Sequence, residues 1–142
     1  MRLQDNQANC GPAAMKNALQ ALGIERTLPE LEAACKTSAT NGTPTNNIIR
    51  AAKKIEGCKP IKILETRAGV ALIQLRFALQ SGRPVLLSWC SSTPGDHWVA
   101  AVGLLGERYL VADAADSELV LSLTVEELEG KWRDNKYEGV IL

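Results

Sequence analysis

The chemistry this chain can perform turns first on its thiols and its single imidazole. There are four cysteines, Cys10, Cys35, Cys58 and Cys90, and one histidine, His97. A thiol becomes a strong nucleophile as its thiolate, and an imidazole is the side chain suited to exchange protons with it near neutral pH. Composition alone does not choose among four thiols, but position does. Cys10 stands before Gly11-Pro12 where a helix is expected to begin, and there the unpaired backbone N–H groups and the helix dipole favour an anion. A buried, inert cysteine is the ordinary alternative for any one thiol. For the base there is no competing residue, so thiol chemistry assisted by an imidazole has to use His97.

A nucleophile and a base usually work with a third group that orients the base. Asp113 closes the apolar run Tyr109-Leu110-Val111-Ala112. If the segment from Trp98 to Leu105 and the one from Tyr109 to Asp113 form a hairpin about Gly106, the end of the second returns to the start of the first, beside His97. Asp116 is an alternative for this role. Gln4, six residues before Cys10, carries a neutral N–H donor able to hold an oxyanion together with the Cys10 backbone N–H. Gln7 competes with it.

The elements that must position these residues divide the chain into two halves. Up to about residue 80 the apolar spacing is helical. Ala13, Ala14, Met15, Ala18, Leu19 and Leu22 return to one face, with Asn9 and Pro12 marking the start and Gly23 the end. A second helix is expected from Thr27, where Thr27 and Glu30 have capping-box spacing and Pro29 suits the first turn. The spacing predicts a third helix over Thr45 to Ile55, with Ile48, Ile49, Ala52 and Ile55 inward and Gly57 closing it, and a fourth over Val70 to Leu79. After Gly82 the runs become short and β-branched: Val85 to Trp89, Trp98 to Leu105 and Tyr109 to Asp113, with a tight turn at Gly106-Glu107. A strand over Leu119 to Leu123, a helix capped by Thr124 and Glu127 and running to Trp132, and a strand over Tyr137 to Leu142 complete the pattern. Helices followed by an antiparallel sheet make an α+β fold, and with no linker or repeat in 142 residues a single domain over residues 1–142 is expected.

Bulk properties exclude several classes. Sixteen Lys and Arg balance sixteen Asp and Glu, so no net field draws the chain to nucleic acid or anionic membranes. Trp89, Trp98 and Trp132 lie in apolar settings without interleaved basic residues, which suits core and cleft-wall packing rather than base stacking, and Trp98 beside His97 is placed to wall a cleft. No C-x-x-C pair or His/Cys cluster has metal-ligand spacing, so no metal or cofactor is expected. The N-terminus lacks an apolar core of the export type, and no apolar run is long enough to cross a membrane. Reduced thiols and a cytoplasmic location are the expectation.

Taken together, the segments from Gln4 to Ala14 (QDNQANCGPAA), Asp96 to Gly103 (DHWVAAVG) and Val111 to Ala114 (VADA) resemble the bacteriocin-processing peptidase family of the papain-like cysteine peptidases. The Asn41-Gly42-Thr43 turn, the Gly82-Arg83-Pro84-Val85 strand entry and the ending from Leu123 to Trp132 extend the resemblance over nearly the whole chain. It implies a papain-like fold with helices packed on a C-terminal antiparallel sheet, a nucleophile at Cys10, a base at His97, an orienting Asp at Asp113 and an oxyanion Gln at Gln4. The chain departs from the family at Asn9, commonly Asp, and at Ala114, commonly Pro. Family members often form part of peptide-exporting transporters and cut leaders after Gly-Gly, which implies a peptide or protein substrate.

The expected reaction is hydrolysis of a peptide or amide bond through a thioester. The same thioester would serve a deamidase, a transglutaminase-like enzyme or an isopeptidase. A peptide-binding module with a vestigial site is a further class, and the oligomeric state is not legible.

Overall fold

The computed structural model describes residues 10–36, 43–63, 67–90, 96–113, 120–133 and 136–142. The first helix, α1 (Cys10–Ala21), is buried along most of its length, with Ala13, Ala14, Met15, Ala18 and Leu19 at 1% exposure or less. Its many small side chains let its backbone approach the sheet closely. α2 (Leu28–Cys35) begins as the Thr27-x-x-Glu30 spacing predicts, with the Thr27 hydroxyl accepting from the Glu30 N–H and Pro29 in the first turn. α3 (Thr45–Lys53) stops two residues before Ile55, whose N–H instead closes a turn onto Ala52.

Next comes an element that the helical reading of the first half passes over, the short strand β1 (Ile61–Ile63). Three residues carry too little local pattern to define a strand; β1 exists because it pairs antiparallel with the last strand of the chain. α4 (Ala68–Gln80) follows, and the second half continues with β2 (Val85–Cys90), β3 (Asp96–Leu105), β4 (Arg108–Ala112), β5 (Leu121–Leu123), α5 (Val125–Trp132) and β6 (Gly139–Ile141). Of the strand expected over Leu119 to Leu123, Leu119 lies outside the described residues. The last strand starts later than Tyr137, because Lys136 and Tyr137 take left-handed backbone angles as the chain turns out of α5.

These strands form one antiparallel sheet in the order β1-β6-β2-β3-β4-β5. Because successive side chains of a strand point to opposite faces, the central strands feed two cores. Leu86, Trp98, Ala100, Ala112 and Val140 pack with α1, α2 and α3 on one side. Val85, Leu87, Trp89, Val99, Ala101 and Val111 pack with α4 and α5 on the other. Burial on both faces explains why these strands read as continuous apolar runs rather than alternating ones. The fold is α+β, and no helix among the described residues is long and apolar enough to cross a membrane.

Candidate active site

β2 and β3 pair with Trp89 opposite His97 and Ser88 opposite Trp98, so His97 lies one residue inside the start of β3. Asp113 follows directly on the end of β4. His97 Nε2 and Asp113 Oδ1 are 2.7 Å apart, with their side chains only 11% and 14% exposed. The protonated ring donates Nε2–H to the carboxylate.

The hairpin that joins β3 to β4 does more than bring these ends together. From the turn inward, Leu105 pairs with Arg108, Leu104 with Tyr109 and Gly103 with Leu110, but Ala101 then pairs with Val111 and Ala100 with Ala112. Val102 is therefore an extra residue in β3. An unbroken register would set Asp113 opposite Ala100, on the face that Trp98 shares. With the one-residue shift the last pair is Ala100 with Ala112, and Asp113 leaves the strand directly after it. From there its carboxylate reaches the His97 ring.

Cys10 opens α1 and is 4% exposed. Its side chain hydrogen-bonds to His97. Burial works against a charged imidazole, but the hydrogen bonds with Asp113 and Cys10 and the charges of both outweigh it and raise the His97 pKa from 6.5 to about 9. The surroundings thus hold the ring in its protonated form at neutral pH. The other described thiols have different settings. Burial pushes Cys35 up to about 12, and its Sγ lies 3.8 Å from Met15 Sδ in the core. Burial also raises Cys58, against the opposing charges of Arg26 and Arg83. Cys10, Cys35 and Cys58 are all free of disulfides.

Three of the four residues expected at a reaction centre, Cys10, His97 and Asp113, therefore stand together. Gln4, its competitor Gln7 and the alternative acid Asp116 lie outside the described residues. Trp98 is 4% exposed and packs into the core beside α1, its indole N–H donating to the Thr43 carbonyl at 2.9 Å. Two features of this neighbourhood are not read from the sequence. One is the extra residue in β3, for which Gly103 within a strand pattern is the available signal, since an interior glycine often marks a bulge. The other is the contact of Thr43, legible only as part of a turn, with Gly11 more than thirty positions away.

Comparison with known proteins adds the family context. The profile described as the Peptidase_C39 like family matches residues 1–140. No curated protein matches the chain. Among solved structures, the peptidase domain of Streptococcus ComA, a bi-functional ABC transporter involved in quorum sensing, superposes with a TM-score of 0.77 at 20% identity, over 99% of this chain and 94% of that one. A C39-like peptidase from Bacillus anthracis gives 0.77 at 15% identity, over 99% and 92%. A double glycine motif protease from an AMS/PCAT transporter, solved in complex with its leader peptide, gives 0.72 at 17% identity, over 99% and 86%. At these identities the structural likeness shows a shared fold.

Proposed function

The chain belongs to the Peptidase_C39 like family and is a cysteine peptidase, and from that premise we propose that Cys10, His97 and Asp113 are its catalytic triad. The observation that carries the reading is His97 itself: one ring nitrogen bonded to Asp113 at 2.7 Å, a hydrogen bond to Cys10 at a helix N-terminus, and a pKa raised to about 9. With Nε2 engaged by Asp113, Nδ1 is the nitrogen left for the thiol. The charged ring beside Cys10 is placed to favour the thiolate as the sulfur attacks.

In this mechanism the Cys10 sulfur attacks the carbonyl carbon of a peptide bond, and the carbonyl π electrons move onto oxygen. The backbone N–H of Cys10 and the side-chain amide of Gln4 hold that oxyanion. His97 gives its proton to the leaving nitrogen as the C–N bond breaks, releasing an amine and leaving a thioester on Cys10. Now neutral, His97 takes a proton from water as the water oxygen attacks the thioester. Collapse of the second tetrahedral intermediate expels the Cys10 thiolate and releases the carboxylic acid, restoring the starting pair. Asp113 keeps the ring turned and stabilises its positive charge throughout.

The substrate we propose is a peptide leader cut after small residues, and the cytoplasm is the proposed site of action. A fold shared with a double glycine motif protease and with a transporter's peptidase domain supports the leader reading. The test is incubation with peptides ending their leader in Gly-Gly, with Gln-containing peptides and with isopeptide-linked conjugates, followed by mass spectrometry of the products. Hydrolysis of the bond after Gly-Gly alone is expected. Release of ammonia from Gln, or cleavage of the isopeptide alone, would assign the same thioester to a different bond.

A further inference from the structure

We propose that Gly11, Thr43 and Trp98 form a bracket that sets the separation of Cys10 from His97, making Thr43 and Trp98 positioning residues for the thiol–imidazole pair. The inference rests on the triad reading and extends it to side chains that meet no substrate.

Gly11 and Trp98 are the chain neighbours of the nucleophile and the base, and Thr43 joins them. A Cβ placed on Gly11 would lie 2.5 Å from Thr43 Cβ, 2.6 Å from its Oγ1 and 3.0 Å from its Cγ2. The start of α1 therefore rests directly on the Thr43 side chain, with no room for a methyl group between them. On its other side Thr43 accepts, through its carbonyl, the Trp98 indole N–H at 2.9 Å. Thr43 and Trp98 are 6% and 4% exposed, so water does not compete for this bond.

Thr43 is itself held by partners that do not depend on Cys10. It enters α3 through Pro44, and the Thr45 hydroxyl donates to the Glu138 carboxylate. The backbone carbonyl of Glu138 accepts from the Trp132 indole at 2.8 Å and from the Ser88 N–H at 3.1 Å. Ser88 is the cross-strand partner of Trp98, so the connection returns to the strand that carries His97. The distance between two reacting groups on separate elements is thus tied by a loop of contacts, buried at Thr43 and Trp98 and half-buried at Glu138, running through their immediate neighbours.

Such a bracket matters because a misplacement of about 1 Å in a reacting pair can cost about a hundredfold in rate. Trp98→Phe keeps most of the ring but removes the donor to Thr43. Gly11→Ala drives a methyl group into Thr43, and Thr43→Gly removes every atom that methyl would strike. The readout is the rate of Cys10 alkylation by iodoacetamide, followed by mass spectrometry at neutral and at strongly alkaline pH. When the pair is intact, the neighbouring imidazole activates the thiol and alkylation is fast at neutral pH; when it is loosened, that activation is lost while the alkaline reaction, which needs no partner, remains.

Trp98→Phe and Gly11→Ala should each slow alkylation at neutral pH by about tenfold or more, while changing the alkaline rate less than about twofold. The double variant Gly11→Ala/Thr43→Gly should recover most of the neutral rate. If Trp98→Phe and Gly11→Ala keep the wild-type ratio of neutral to alkaline rates, or lose both rates together without rescue by Thr43→Gly, the bracket is overturned. The triad reading fails separately, if wild-type protein itself shows no excess of Cys10 alkylation at neutral pH.

Discussion

Replacing Asp113 by Asn tests the electrostatics of the site at a single atom's cost in shape. In the folded protein the His97 pKa is raised from 6.5 to about 9, a preference for the charged ring of about 3 kcal/mol at 1.36 kcal/mol per pKa unit. Burial opposes that preference, and Asp113 supplies both the largest favourable hydrogen bond and a favourable charge. With Asn the carboxylate charge is gone and the hydrogen bond becomes a neutral one, leaving mainly Cys10 to offset burial. The midpoint should move down toward the ordinary imidazole value.

The measurement is unusually clean, because His97 is the only histidine and its ring signals in an NMR titration need no assignment. Wild type should titrate near 9 and Asp113→Asn well below it. Activity should follow: the alkaline limb of kcat/KM shifts down with the midpoint, and at pH 7 the variant loses up to about fourfold through the smaller fraction of imidazolium, since a midpoint of 6.5 leaves about a quarter of the rings charged. Stability follows with a definite sign. A raised folded-state pKa means the contribution of the charged ring is full below 6.5 and disappears as pH rises through about 9. The stability gap between wild type and Asp113→Asn should therefore be widest below 6.5 and close above 9. A variant that still titrates near 9 would refute this account of the ring.

Other perturbations reach different parts of the fold. Thr124→Ala removes the cap of α5, where the Thr124 hydroxyl accepts from the Glu127 N–H and the Glu127 carboxylate accepts from the Thr124 N–H; denaturant unfolding should show a loss of about 1 kcal/mol with peptidase activity intact. Gly139→Ala places a methyl group 2.9 Å from the Leu86 carbonyl and 3.4 Å from the Trp132 ring, and thermal melts should register a loss of about 1–3 kcal/mol from overpacking between β6 and β2. Cys35, with its pKa pushed up to about 12 by burial, should stay unmodified in folded protein at neutral pH under alkylation that consumes Cys10, as peptide mapping would show.

The grouping of the candidate residues was legible wherever local chemistry and short-range topology coincide. His97 has no rival in the chain, and a turn at Gly106-Glu107 is enough to bring the end of β4 back toward the start of β3. Cap chemistry likewise located α2 at Thr27 and α5 at Thr124, because capping depends on residues three apart. β1 escaped because its three residues are a strand only by pairing with β6, nearly eighty positions later. The register shift at Val102 was hidden for a related reason. A turn and two apolar runs predict a hairpin, but not which residue of it is left out of the ladder on the way to Asp113. Thr43 belongs to the same class, since its meaning lies entirely in the glycine and the tryptophan it touches.

The central claim is that Cys10 is the nucleophile, and it is tested most directly by intact-protein and peptide-level mass spectrometry after brief exposure to a low concentration of an acyl-type activity-based probe. The account predicts one covalent adduct in wild type, mapped to Cys10, and neither adduct nor peptide hydrolysis in folded Cys10→Ala. Equal labelling of the two proteins, or turnover that survives in Cys10→Ala, would contradict it.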